Sequence, residues 1–185
     1  QLIYISSDAV YGENKKKITE KSNILPGSLH GLMHSTREKI LKDKFNKILC
    51  ILRPTLIYGS GDTHNGYGPN RFIDLALKSK KISIFGNGEE KRDHIFIDDV
   101  VDVINECIIT NTTGSFTLAT GRVVSFHDIA KFTCKHKNIP YKQIKFTKRK
   151  GIMPHNGYRA FDVSKLKNKL SSLNFTDIEE GIKIS

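Results

Sequence analysis

His30 and His34 stand one helical turn apart in the run His30-Gly31-Leu32-Met33-His34. On a helix, side chains at i and i+4 share a face. An imidazole titrates near pH 6.5, so it can take or give a proton at neutral pH without a neighbouring cation to help it. The same spacing is half of a common metal site, but the run lacks the acid of an HExxH motif and no third ligand is evident. Two further short runs place polar side chains just past apolar segments. Ser6-Ser7-Asp8 follows Leu2-Ile3-Tyr4-Ile5, and Arg53-Pro54-Thr55 follows Ile48-Leu49-Cys50-Ile51-Leu52. In an open α/β sheet, ligands sit beyond the carboxyl ends of the strands. Ordinary turn chemistry would also put Ser, Asp and Pro there, and it accounts for either run taken alone.

These residues need a frame. Strand-like segments fall at 2–5, 48–52, 82–85, 95–97, 115–118 and 141–146. Helical spacing of apolar residues appears around 30–42, with Leu29, Leu32, Met33, Thr36, Ile40 and Leu41, and again over 71–79, 99–109 and 126–137. Asp98 is a candidate cap for the third of these. Ser125, with Asp128 three residues on, is close to a capping box for the fourth. Two short helices near 164–171 and 177–184 close the chain. Strand–helix alternation of this kind predicts an α/β fold with a largely parallel sheet. The glycine-rich stretch 59–69 is a loop long enough to be functional or mobile.

The 185 residues carry 30 Lys+Arg against 19 Asp+Glu, a formal charge of +11. Basic clusters at Lys15-Lys16-Lys17 and over 131–150, the latter interleaved with Phe132, Tyr141 and Phe146, suggest nucleic-acid binding. Phe132 and Phe146 fall where core residues belong, and Lys outnumbers Arg, whereas specific nucleic-acid sites favour Arg. A solvated basic face is the better reading. No apolar run is long enough for a membrane span. Cys50, Cys107 and Cys134 are odd in number and lack CxxC spacing, which suits a reducing cytoplasmic setting and neither a disulfide scaffold nor structural zinc. Gln1 runs at once into a strand that reads as buried on both faces, so the chain reads as the later part of a longer protein.

Taken in order, three segments resemble one family. Ile5-Ser6-Ser7-Asp8-Ala9-Val10-Tyr11-Gly12, Leu52-Arg53-Pro54-Thr55-Leu56-Ile57-Tyr58-Gly59 and the longer run 84–100, Ile84 to Val100, are similar to the active-site strand end, the next strand and loop, and the substrate-side hairpin of the extended short-chain dehydrogenases. The likeness is to the NAD-dependent nucleotide-sugar epimerase/dehydratase branch. It runs from residue 2 to about 170, and 84–100 is its most specific piece. It implies a partial Rossmann-type parallel sheet in 1–60 and 94–120, with a smaller C-terminal α/β substrate-binding part in 61–93 and 121–185. The family's glycine-rich pyrophosphate turn would lie before residue 1, so this piece by itself is expected to bind NAD poorly or not at all.

The same resemblance implies roles. Ser7 matches the residue that hydrogen-bonds the reacting sugar hydroxyl, and Asp8 matches the acid that helps expel water in the dehydratases. Ala9 stands where those enzymes usually place a second acid, which favours epimerisation or simple oxidoreduction over dehydration. His30 and His34 occupy the places of the family's Tyr and Lys. The family's phenol needs the Lys cation because its own pKa is near 10, whereas an imidazole does not. His30 is then the candidate base and His34 the group that meets the nicotinamide ribose. Ser6, His34, Arg53 and Pro54 are the expected contacts to NAD or NADP. Thr55, Asn70, Phe85, Arg92 and Arg159 are the expected contacts to a nucleotide sugar, with Arg92 on its phosphates. For Arg92, an ion pair with Glu89, Glu90 or Asp93 is the plain alternative, and Arg149 competes with Arg159 as a second phosphate arginine. Metal binding is not expected. A homodimer through the 30–42 helix is a further implication. The rival to an enzyme is a catalytically silent nucleotide-sugar-binding module of the same fold.

Overall fold

The structure, a computed structural model, describes every residue except 14–16, 63 and 65. Lys15 and Lys16 of the first basic cluster and two positions of the glycine-rich loop therefore lie outside the described residues.

The chain opens with strand β1 (Leu2–Ile5), a short 3-10 turn over Asp8–Val10 and helix α1 (Leu29–Phe45). Strands β2 (Leu49–Pro54) and β3 (Leu56–Tyr58), helix α2 (Pro69–Leu77), and strands β4 (Ile82–Phe85), β5 (Lys91–Arg92) and β6 (His94–Phe96) follow. Then come α3 (Ile97–Ile109), β7 (Gly114–Leu118), β8 (Val124–Ser125), α4 (Phe126–His136), β9 (Ile144–Thr147), β10 (Tyr158–Arg159), α5 (Ser164–Lys169) and α6 (Ile178–Ile184).

The main sheet has the order β1-β2-β7 and is parallel throughout, with Leu2 opposite Leu49 and Cys50 opposite Gly114. Every residue of β2 is buried, as expected for a central strand covered on both faces. Its register sets the carboxyl ends of β1 and β2 side by side, so Ser6-Ser7-Asp8 and Pro54-Thr55 meet at one edge. The remaining strands form small sheets: β3 with β6, β4 with β9, and β10-β5-β8.

Two larger cores and a smaller cluster of Val10, Tyr11, Ile18, Ala119, Phe161 and Val163 hold the described residues together. Leu52, Val103, Cys107, Leu118 and Leu166 pack between the main sheet, α3 and α5. Phe72, Ile84, Phe126, Ile129 and Ile182 join α2, β4, α4 and α6. All three cysteines are buried and free.

The strands at 2–5, 48–52, 82–85, 95–97 and 115–118 and all six helices occur within a few residues of the sequence reading. Ser125 caps α4, accepting from the Asp128 amide at 3.0 Å. Several expectations need correction. Asp98 does not cap α3: the helix issues directly from β6 with Phe96 at the cap position, and Asp98 sits inside the first turn. Residues 141–143 form a 3-10 turn, and the strand begins at Ile144. Phe146 is 53% exposed and meets the His127 ring, although Ile144 on the same face of β9 packs against the core. The apolar spacing of α1 does not mark its buried face either. Leu29, Leu32, Met33 and Ile40 are exposed, and the residues that α1 buries are Gly31 and Glu38.

Candidate active site

Gly31 and Glu38 are seven apart, on one face of α1. A Cβ on Gly31 would lie 2.1 Å from the Ala9 carbonyl oxygen, so only glycine lets α1 press onto the Asp8–Val10 turn. That contact places His30 and His34 beside the end of β1. Two turns along, Glu38 accepts from Arg53 Nε (2.8 Å) and Nη2 (2.6 Å) and from Ser6 Oγ (2.6 Å). Arg53 Nη1 donates to the Tyr11 hydroxyl at 2.9 Å, and that oxygen lies 2.7 Å from Thr117 Oγ1. The arginine holds Glu38 below the usual carboxylate range even though burial pushes the other way, while burial raises the Tyr11 phenol.

Two residues expected to meet the cofactor are engaged in this network. Arg53 is 2% exposed, and its guanidinium donates to Glu38 and Tyr11. The Ser6 hydroxyl is likewise spent on Glu38. Both are struts that fix α1 to β1 and β2, because a buried charge demands a full set of partners.

Two adjoining clefts open at the edge these struts define. The first encloses about 500 Å³ and is lined by Ser7, His30, His34, Pro54, Asn70 and His94, among others. The second encloses about 690 Å³ and is lined by Arg92, Arg159, His155, Glu90, Tyr11 and Phe126, among others. Asp8, Thr55, Leu56 and Tyr67 border both. Ser7, His30, His34, Pro54, Thr55 and Asn70 are thus brought together in one cleft, and Arg92 and Arg159 in its neighbour. A third groove of about 660 Å³, between the end of β7 and residues 161–175, contains none of the expected site residues.

The local geometry is specific. Ser7 Oγ accepts from the Ala9 amide (3.1 Å), which leaves its proton free to donate. His30 and His34 rings meet edge to face with centroids 4.6 Å apart. His34 Nδ1 lies 2.8 Å from the Tyr4 hydroxyl. Partial burial, then the charges of His30 and Arg37, lower the His34 pKa. Asn70, in the first turn of α2, accepts from the Gly59 amide (2.9 Å) and donates to Asp62 (2.6 Å). Thr55 Oγ1 donates to the Asp93 carbonyl.

Asp8 is not a free acid: Arg159 Nε donates to its carboxylate and Nη2 to its carbonyl, both at 2.7 Å. Arg159 is correspondingly committed, leaving Nη1 near His155. Arg92 donates to Glu90 and to the Pro154 carbonyl, while its Nη1 is buried with no partner. Phe85 lies under the Arg149 guanidinium, 5.4 Å from ring centre to Cζ, and its amide donates to the Tyr67 hydroxyl. Among the described residues, no three His, Cys, Asp or Glu side chains gather as a metal site.

Sequence reading missed Tyr4, Tyr11, Glu38, Tyr67 and His94, and it named Glu90 only as one of three alternative ion-pair partners for Arg92, the one the structure shows. The one usable signal was the Gly31/Glu38 spacing, a charge in register with a glycine on a helix otherwise decorated with exposed apolar residues.

Residues 1–114 match the model of the NAD dependent epimerase/dehydratase family. The chain belongs to that family. Among curated proteins, it is 32% identical over 102 residues to an uncharacterized UDP-glucose epimerase of Bacillus subtilis, covering 54% of this chain and 32% of that protein. It is 28% identical to a trifunctional UDP-glucose 4,6-dehydratase/epimerase/reductase of Arabidopsis thaliana, covering 99% of this chain and 28% of that one. Among solved structures, a UDP-glucuronic acid 4-epimerase of Bacillus cereus, in complex with UDP-glucuronic acid and NAD, superposes with a TM-score of 0.84 at 23% identity, covering 98% of this chain and 59% of that chain. A dTDP-glucose 4,6-dehydratase of Bacillus anthracis in complex with NAD gives 0.83 at 18%, covering 99% and 59%. At such identities the likeness is one of fold. The epimerase/dehydratase chain described here spans about a third of the length of the curated relatives and three fifths of the solved ones.

Proposed function

We propose that the protein is an NAD(P)-dependent oxidoreductase of the epimerase/dehydratase type that acts on a nucleotide sugar. Residues 1–60 and 94–120 serve the cofactor half and residues 61–93 and 121–185 the substrate half. One observation carries this reading: the cleft that joins Ser7 to the His30/His34 pair opens directly into the arginine-lined cleft. A ligand with a neutral reacting sugar at one end and a diphosphate at the other matches that division of charge.

In this reading His30 removes the proton of a sugar hydroxyl, while Ser7 donates to or accepts from the same oxygen and holds it toward the base. His34, anchored at Nδ1 by Tyr4, turns Nε2 to the nicotinamide ribose, with Pro54 against the ring. The nicotinamide, when bound, supplies the hydride acceptor. Ser6 and Arg53 contribute no side-chain contact to it. Thr55, Asn70 and Phe85 surround the sugar and nucleotide, and Arg92 with Arg149 or Arg159 faces the phosphates. Asp8, paired with Arg159, orients the arginine more readily than it delivers a proton. The exposed Leu29, Leu32, Met33 and Ile40 of α1 form the contact of a homodimer. Sedimentation of Leu32→Glu as a monomer beside a dimeric parent would support that contact, and an unchanged profile would remove it.

The test is turnover of UDP- and dTDP-linked sugars by the full-length protein that carries these residues, with NAD or NADP supplied, beside a His30→Tyr/His34→Lys variant. Loss of existing turnover in the variant supports histidine catalysis. An inert parent whose variant turns over is a silent binding module.

A further inference from the structure

Glu90 is a buried carboxylate of the larger cleft, set between Arg92, which also lines that cleft, and Arg149, which does not. Its Oε1 accepts from Arg92 Nε at 2.9 Å and from Nη2 at 2.5 Å, and its Oε2 accepts from Arg149 Nη2 at 2.6 Å. The side chains of Glu90 and Arg92 are 6% and 7% exposed, and that of Arg149 is 18% exposed. Its backbone is pinned too, since the Glu90 carbonyl accepts from the Phe126 amide at the start of α4. Yet the two guanidinium groups are not satisfied. Arg92 Nη1 and Arg149 Nε are buried without a partner. Buried donors of charged groups are almost always paired, so an Arg92 Nη1 without a partner among the described residues, on a side chain that lines the cleft, points to an acceptor that enters from the cleft.

The arrangement resembles an anion site whose occupant is already partly present. A carboxylate accepting from two arginines takes the donors that phosphate oxygens would take. The neighbouring Arg159 is neutralised in the same way by Asp8. We propose that Glu90 is an affinity- and specificity-determining residue. It stands in for one anionic group, holds down the affinity of the cleft for phosphates, and leaves Arg92 Nη1 as the donor that a correctly placed ligand completes. This rests on the reading of the larger cleft as the diphosphate end of the substrate site.

The experiment is calorimetric titration of the parent and of Glu90→Gln, in the full-length protein, with inorganic pyrophosphate and separately with UDP. Like charges brought together at a binding site are strongly unfavourable. Removing the carboxylate therefore raises the affinity for pyrophosphate at least about tenfold and steepens its salt dependence. Equal or weaker pyrophosphate binding by folded Glu90→Gln overturns the proposal and makes Glu90 a strut for the two arginines. Tighter pyrophosphate binding with no UDP binding in either protein supports the role of Glu90 and removes the nucleotide reading of the cleft. UDP binding that the variant does not improve keeps the nucleotide reading and removes the role of Glu90. If Glu90→Gln does not fold, Glu90→Ala decides. It also removes the carboxylate, so it too must bind pyrophosphate more tightly than the parent, and failure to do so overturns the proposal.

Discussion

At the scale of single residues, the histidine pair carries the distinctive chemistry, and its second partner is Tyr4. A neutral imidazole has one donor and one acceptor nitrogen, and the hydrogen bond at one fixes the role of the other. The Tyr4 hydroxyl can donate to Nδ1 or accept from it, and the first arrangement, which the proposed role of His34 requires, holds the proton on Nε2. Long-range 1H–15N correlation spectra should show Nδ1 of His34 as the unprotonated nitrogen. Tyr4→Phe should release that preference, moving both nitrogen shifts toward a tautomer mixture at a cost of about 1 kcal/mol in stability. A protonated Nδ1 in the parent would refute the assignment. His30 and His34 were legible because their spacing is local. Tyr4 was not, because it reaches His34 from a strand thirty residues away, and nothing in an apolar run distinguishes a tyrosine that packs from one that aims a hydroxyl.

Elements show the same division between local and non-local information. The Ser125 cap and the buried run of β2 depend on neighbours in sequence, and both were readable. Two-residue strands such as β5, β8 and β10 exist only through their pairing in one small sheet, and no pattern two residues long can announce that. Helix α1 misled for a different reason. Its apolar residues face outward, while its attachment is a glycine contact and a buried ion pair. That attachment makes a sharp prediction. Arg53→Met leaves Glu38 buried with only the half-exposed Lys42, 3.4 Å from Oε2, as a cation, and should cost roughly 3–5 kcal/mol in chemical denaturation. Adding Glu38→Leu to it should recover a large part of the loss, because two apolar residues satisfy each other where a lone carboxylate cannot. If the double variant is as unstable as the single one, the pair does more than bridge α1 to β2, and its network with Ser6 and Tyr11 is the true unit.

For the molecule as a whole, the adjacent residues Asp93 and His94 shape the response to acid. His94 is fully buried with neither ring nitrogen paired, and burial drives its pKa from 6.5 down to about 3. The unfolded chain therefore binds a proton that the folded one refuses, and stability falls as pH drops from 6.5 toward 3. Asp93 works in the opposite sense. Burial pushes its carboxyl from 3.8 up to about 6, against the hydrogen bonds it accepts from Thr120 and Gly121. The folded state then holds the proton longer, so stability falls as pH rises from 3.8 through 6. Between about pH 4 and 6 the two contributions oppose each other, and the parent's own stability curve conceals both. Each must be exposed by difference. His94→Phe removes the unpaired imidazole from between Tyr58 and Phe126, where an aromatic ring already packs. Its advantage over the parent should grow by about 1.4 kcal/mol per pH unit below 6.5, reaching about 2 kcal/mol at pH 5. Asp93→Asn should give a difference curve of opposite slope, gaining on the parent as pH rises from 4 to 6. Urea titrations of the three proteins at pH 4, 5, 6 and 7 read this directly. Parallel curves for parent and His94→Phe would mean that His94 finds a proton partner in the folded protein, and the low-pH sensitivity would then have to originate elsewhere.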